Sequence, residues 1–90
     1  MRIEFDPAKD KLNRALHGIS LSFAESLVWD EALVWVDDRF EYDEIRMVGL
    51  APKGDRLYYV AFVDRGTTRR IISLRFAAPK ELNYYVKNYD

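Results

Sequence analysis

The stretch "RRIISLRF", residues 69–76, decides how the rest of the chain is read. Ile71, Ile72, Leu74 and Phe76 are apolar residues of the kind a buried strand carries, two of them β-branched and one aromatic. Three arginines in the same stretch, Arg69, Arg70 and Arg75, do not belong in a core. Successive strand side chains point to opposite faces. Strict alternation therefore puts Arg69, Ile71, Ser73 and Arg75 on one side and Arg70, Ile72, Leu74 and Phe76 on the other. The second set is expected to face the helices, with Arg70 at its end. The first set leaves Ser73 and Arg75 on an open face.

Working outward, "ALVWVDD" (32–38), "EIRMVGL" (44–50) and the run 57–64 repeat the same period of two, and together they are rich in Val, Ile, Tyr, Phe and Trp. Pro52 with Gly54, and Gly66 with its neighbours, mark short turns between them. Four strands joined by short turns make an antiparallel meander. Upstream, "RIEF" is a short first strand. A helix follows, with Asp6 as its N-cap, Pro7 in its first turn and Gly18 just past its end. Ala8, Leu12, Ala15 and Leu16 give it an apolar stripe. A second helix is expected from the capping box Ser22–Glu25, with Phe23, Leu27 and Val28 turned inward. Pro79 opens a last helix bearing Leu82, Tyr85, Val86 and Tyr89 on one side. The expected fold is α+β: a small antiparallel sheet, a four-stranded meander plus the N-terminal strand, with two N-terminal helices and one C-terminal helix packed on one face. Residues 1–90 form one domain, without repeat or linker.

The chain has no cysteine, so disulfides, thiol catalysis and cysteine-based zinc sites are excluded. It has no run long enough for a membrane span and no apolar segment of a secretory leader near its N-terminus, which fits a cytoplasmic protein. The net charge of −1 hides an asymmetry. Residues 1–43 carry five Lys/Arg against ten Asp/Glu, and residues 44–90 carry nine against five. The basic half is what a polyanion would sense.

Glu44 and Arg46 share one side of "EIRMVGL", and register could bring them beside Arg75. Planar, permanently charged guanidinium groups suit phosphate. Arginines with one carboxylate are the parts needed to cleave RNA: the arginines hold the scissile phosphate and a base takes the ribose 2′-OH proton. The competing reading is a set of ordinary surface ion pairs across the meander. His17, the single histidine, sits at the end of the first helix, where it either complements the helix dipole or carries a proton. Tyr58, Tyr59, Tyr84, Tyr85 and Tyr89 either stack bases or belong to core and rim. No acidic or histidine pattern suggests a metal or cofactor.

The segment "FDPAKDKLNRALHGISLSFAESLVWDE", then "DEIRMVGLAPKGDRLYYVAFVDR", then "RRIISLRFAAPKELNYY" resembles the BrnT toxin family in order over nearly the whole chain. The resemblance implies a RelE-like fold and a type II toxin that stops translation by cutting RNA. It also implies a cognate antitoxin, BrnA-like, with a ribbon-helix-helix DNA-binding part through which alone operator DNA is contacted. By matching position it implies catalytic roles for His17, Glu44, Arg46, Arg65 and Arg75 and RNA binding by Arg46, Arg65, Arg70 and Arg75; Arg69, in the same strand, is a further RNA-binding candidate, and the chemistry needs no metal or cofactor. The chain departs from the pattern at Leu16, where a basic residue is usual, and in "SLSF" at the second helix. A second reading follows, in which the same fold is a catalytically weak or inactive module that pairs with the antitoxin in operon autoregulation.

Overall fold

The computed structural model describes residues 1–39 and 41–89. The order of elements is β1 (Arg2–Glu4), α1 (Pro7–His17), two 3₁₀ segments (Leu21–Ser26 and Trp29–Glu31), β2 (Leu33–Val36), β3 (Met47–Lys53), β4 (Arg56–Arg65), β5 (Thr68–Phe76) and α2 (Pro79–Asn88). The five strands form one sheet in the order β1-β5-β4-β3-β2. β2 to β5 are the expected antiparallel meander. β1 joins it in parallel beside β5, with Ile3 opposite Arg69, so the sheet is mixed.

The expected face assignment of β5 is corrected by a bulge. Ala61 of β4 faces Ser73 and Phe62 faces Ile71, which leaves Ile72 as an extra residue. One inserted residue transposes the faces on one side of it. Ile71 and Leu74 both reach the core, and Arg70, not Arg69, joins Ser73 and Arg75 on the other side. Arg69 lies among the core-side residues, over the rings of Phe62 and Trp29, with Asp64 as its ion-pair partner.

The core lies between one sheet face and the N-terminal elements, where Leu21, Ala24 and Leu27 pack on Ala51, Tyr58, Val60, Phe62, Ile71 and Leu74. Leu21, Ala24 and Leu27 recur every third residue, the period of a 3₁₀ helix, and all three are buried. The expected second α-helix is therefore a 3₁₀ segment, and its cap is Ser20, whose hydroxyl accepts the Ser22 N–H, rather than Ser22 with Glu25. Val28 is exposed.

The stripe expected on α1 is also outside: Leu12 and Leu16 are 64% and 75% exposed. The helix is anchored by Asn13 instead. The buried Asn13 amide donates to the carbonyls of Leu74 and Ile19, both at 2.8 Å, and its oxygen accepts the Leu74 N–H at 3.1 Å. It closes the edge of β5 beyond the end of β1 as a neighbouring strand would. α2 departs from the expectation that all helices share one face. Its Tyr84 meets Trp35 edge-on, and its Glu81 reaches Arg75, both on the face opposite the core.

Candidate active site on the open face of the sheet

Alternation from the core residues assigns the open face. It carries Trp35 and Asp37 from β2 and its exit, Arg46, Val48 and Leu50 from β3 and its approach, Tyr59, Ala61, Val63 and Arg65 from β4, and Arg70, Ser73 and Arg75 from β5. Tyr58 and Tyr59 are neighbours in sequence, so they point oppositely. Tyr58 is a core residue packed on Phe23, whereas Tyr59 stands on the open face directly across from Arg75.

Two clusters form there. Near α2, the Arg75 guanidinium stacks 4.0 Å from the centre of the Tyr59 ring. Glu81 holds it with two hydrogen bonds, 2.8 and 2.9 Å, while also accepting the Ala78 N–H at 2.7 Å. The paired charges push the Glu81 carboxyl below its ordinary value and the Arg75 guanidinium above its own. Burial raises the Tyr59 hydroxyl, so that ring stays neutral.

The second cluster lies at the opposite end of the face. Here Arg65 makes a two-pronged ion pair with Glu44, at 2.8 and 2.5 Å, which holds the Glu44 carboxyl below its usual range. Arg70 binds Glu4 at 2.8 Å, and its charge also favours ionised Glu44. Arg46 stacks 4.1 Å over the Tyr42 ring, and its Nε is buried without a hydrogen-bond partner among the described residues. Arg46, Glu44 and Tyr42 line a cleft of about 350 Å³ with Glu41, Asp43, Val63 and the bulge residue Ile72.

Asp37 connects the two clusters. Its carboxylate is buried at the end of β2, where it accepts from Arg39 Nε at 2.8 Å, Arg39 Nη2 at 3.0 Å and the Tyr42 hydroxyl at 3.1 Å. Arg39 above all holds its pKa at about 2. The Arg39 charge is felt by both Tyr59 and Arg75.

Glu44, Arg46, Arg65 and Arg70 thus come together as candidates. Arg75 does not join them: it is level with Leu50, four residues along β3 from Arg46, or roughly 13 Å of strand. Arg69 is on the other face. His17 ends α1, and among the described residues no hydrogen bond or ion pair ties it to either cluster. Sequence reasoning missed Asp37, Arg39, Tyr42 and Glu81. The alternation that places Trp35 on the open face also places Asp37 there, two residues on; the loop residues carry no comparable signal. Of Arg39, Arg46, Arg65, Arg69, Arg70 and Arg75, only Arg46 lacks a carboxylate partner among the described residues. Among those residues, no group of three or more His, Asp or Glu is placed to hold a metal ion.

Fold and site together define a small α+β protein that presents arginines, tyrosines and single carboxylates on the face of a five-stranded sheet opposite its core. The chain belongs to the BrnT family, ribonuclease toxins of type II toxin–antitoxin systems, whose model matches residues 5–81. Membership of a type II toxin family implies a cognate antitoxin partner. No curated protein matches the chain. Among the described residues no helix is long and apolar enough to cross a membrane.

Proposed function

We propose that the protein is a metal-independent endoribonuclease that arrests translation in the cytoplasm by cutting RNA, with residues 1–90 acting as one toxin domain. The observation that carries this reading is Arg46: a half-buried guanidinium with an unmet Nε, in a cleft beside a carboxylate. A scissile phosphate is a ligand of matching shape and charge for it. Glu44, two residues away and ionised at neutral pH, is positioned to take the 2′-OH proton. The 2′-oxygen then attacks phosphorus, and the P–O5′ bond breaks to leave a 2′,3′-cyclic phosphate and a 5′-hydroxyl, the leaving oxygen being protonated by water. Arg46 holds the phosphate as its charge redistributes, with Arg65 and Arg70 beside it. Arg75 on Tyr59 serves a flanking nucleotide, where the phenol ring offers a stacking surface.

The test is cleavage of RNA by purified protein, with EDTA throughout, comparing wild type with Arg46→Ala. Removal of one pre-organised donor of this kind costs about 10²–10³ in rate, so the variant should be nearly silent while wild type cleaves.

A second reading draws on a different observation. Arg65, Arg70 and Arg75 are each already neutralised by a carboxylate of this chain. That arrangement suits a module whose arginines are structural and whose task is to pair with the antitoxin, a protein with a ribbon-helix-helix part that represses their shared operon. Tight complex formation with no cleavage by wild type would select it.

A further inference from the structure

β2 is the terminal strand of the sheet, and among the described residues nothing pairs with its outer side. It is also apolar on both faces. Val34 and Val36 are 41% and 53% exposed on the core-side face, and Trp35 is 39% exposed on the open face. Beside Trp35 lies a cleft of about 410 Å³ bounded by Leu50, Lys80, Glu81 and Tyr84. An uncovered apolar edge is a pairing surface that folded proteins normally blunt or occupy.

The backbone is set to receive a strand. Asp37 N–H donates to the Arg46 carbonyl at 2.8 Å. In an antiparallel pair, the groups of successive residues alternate toward and away from the partner. Counting back from Asp37, Trp35 and Leu33 address β3, while the N–H and C=O of Val36 and Val34 point outward.

Charge chooses the occupant. Residues 30–44 hold seven acids and one arginine, and the acids bracket the strand: Asp30 and Glu31 before it, Asp37 and Asp38 after it. The outward groups of Val34 and Val36 restrict two-fold antiparallel pairing to registers centred on Val34, Trp35 or Val36, and each brings together two copies of residues 30–39, with four acids and one arginine apiece, that arginine being already held by Asp37. In-register parallel pairing would set every acid beside itself. Like charges so opposed are destabilising. RNA is repelled for the same reason.

We propose that the outer edge of β2 is the docking strand for the antitoxin, which adds to the sheet an extended apolar segment flanked by Lys or Arg. One of its side chains enters the Trp35–Tyr84 cleft. The inference rests on the antitoxin partnership of the proposed function and not on the ribonuclease activity. The docking strand lies along the sheet edge, and the side chain in the cleft meets the arginine face at Glu81, the partner of Arg75.

The experiment uses the full chain and its purified cognate antitoxin. Hydrogen exchange followed by NMR should show the Val34 and Val36 amides slowed about tenfold or more in the complex, with Leu33 and Trp35 little changed. Val36→Pro removes only an outward N–H, which an edge strand tolerates, and should weaken antitoxin binding about tenfold. Asp38→Lys, an exposed charge reversal, should weaken binding further and flatten its salt dependence. RNA cleavage by both variants should equal that of wild type. A complex in which the two amides are unprotected and both variants bind normally overturns the inference. So does a concentration-dependent dimer of the chain alone that Val36→Pro abolishes, protection of the same amides by RNA, or the absence of any complex. If the amides are protected but wild type does not cut RNA, the docking inference stands and the ribonuclease reading falls.

Discussion

Arg46 and Glu44 show how much a single neighbour can decide. Arg46 has an aromatic ring beneath it and no carboxylate among the described residues, so its charge is available to a ligand. Glu44 is held ionised, first by the hydrogen bonds of Arg65 and then by its charge. A base whose pKa is depressed stays active into acid, so the acid limb of kcat/KM should lie below the ordinary carboxylate value of 4.5. Arg65→Met removes the favourable charge, the Glu44 pKa rises toward that value, and the limb should move to higher pH. A pH–rate profile of both proteins checks this. A limb unmoved by the substitution would take the role of base away from Glu44.

At the scale of elements, the bulge at Ile72 and the side chain of Asn13 govern β5. The bulge turns Arg70 to the open face and Arg69 to the core side, where it covers Phe62 and Trp29. Arg69→Ala should therefore lower thermal stability and leave RNA affinity unchanged, whereas Arg70→Ala should weaken RNA affinity with a smaller effect on melting. Equal losses of affinity would contradict the register. Asn13 satisfies both backbone groups of Leu74 as well as the Ile19 carbonyl. Asn13→Ala strands buried polar groups, and each such loss costs about 1–3 kcal/mol. Urea denaturation should show a reduced midpoint, with Asn13→Asp also impaired because a carboxylate cannot donate to the two carbonyls.

Over the whole molecule, the acidic half of the chain meets the basic half on the open face where Glu4 binds Arg70, and within the basic half Glu44 binds Arg65. Glu81, from the basic half itself, does the same for Arg75. Much of the positive charge is thus held in internal pairs at neutral pH. Glu44 and Glu81 both have lowered pKa values, so they release their arginines only below the ordinary 4.5. As pH falls through that range, RNA binding should tighten because arginines are freed, while turnover should drop because the base is protonated. Fluorescence anisotropy and initial rates on the same samples, from pH 7 to about 3, should diverge. A parallel fall of both would indicate that the pairs are not broken by phosphate.

The sequence by itself determined the α+β class, the strands of the meander, α1 with its Asp6 and Gly18 ends, and α2 opening at Pro79. Those features come from local periodicity, caps and turn residues, which act over a few positions. It also marked Glu44, Arg46, Arg65 and Arg70 as candidates for the chemistry. Only the tertiary structure decided which arginines share a face, because a bulge depends on how β4 and β5 pair and leaves no local trace in "RRIISLRF". It likewise decided that Leu12 and Leu16 stay outside while Asn13 is buried, since a polar residue enters the interior when a distant strand edge supplies its partners. That Glu81, Asp37 and Arg39 belong to the face is a matter of side chains meeting across the sheet, set by packing rather than by neighbours in sequence.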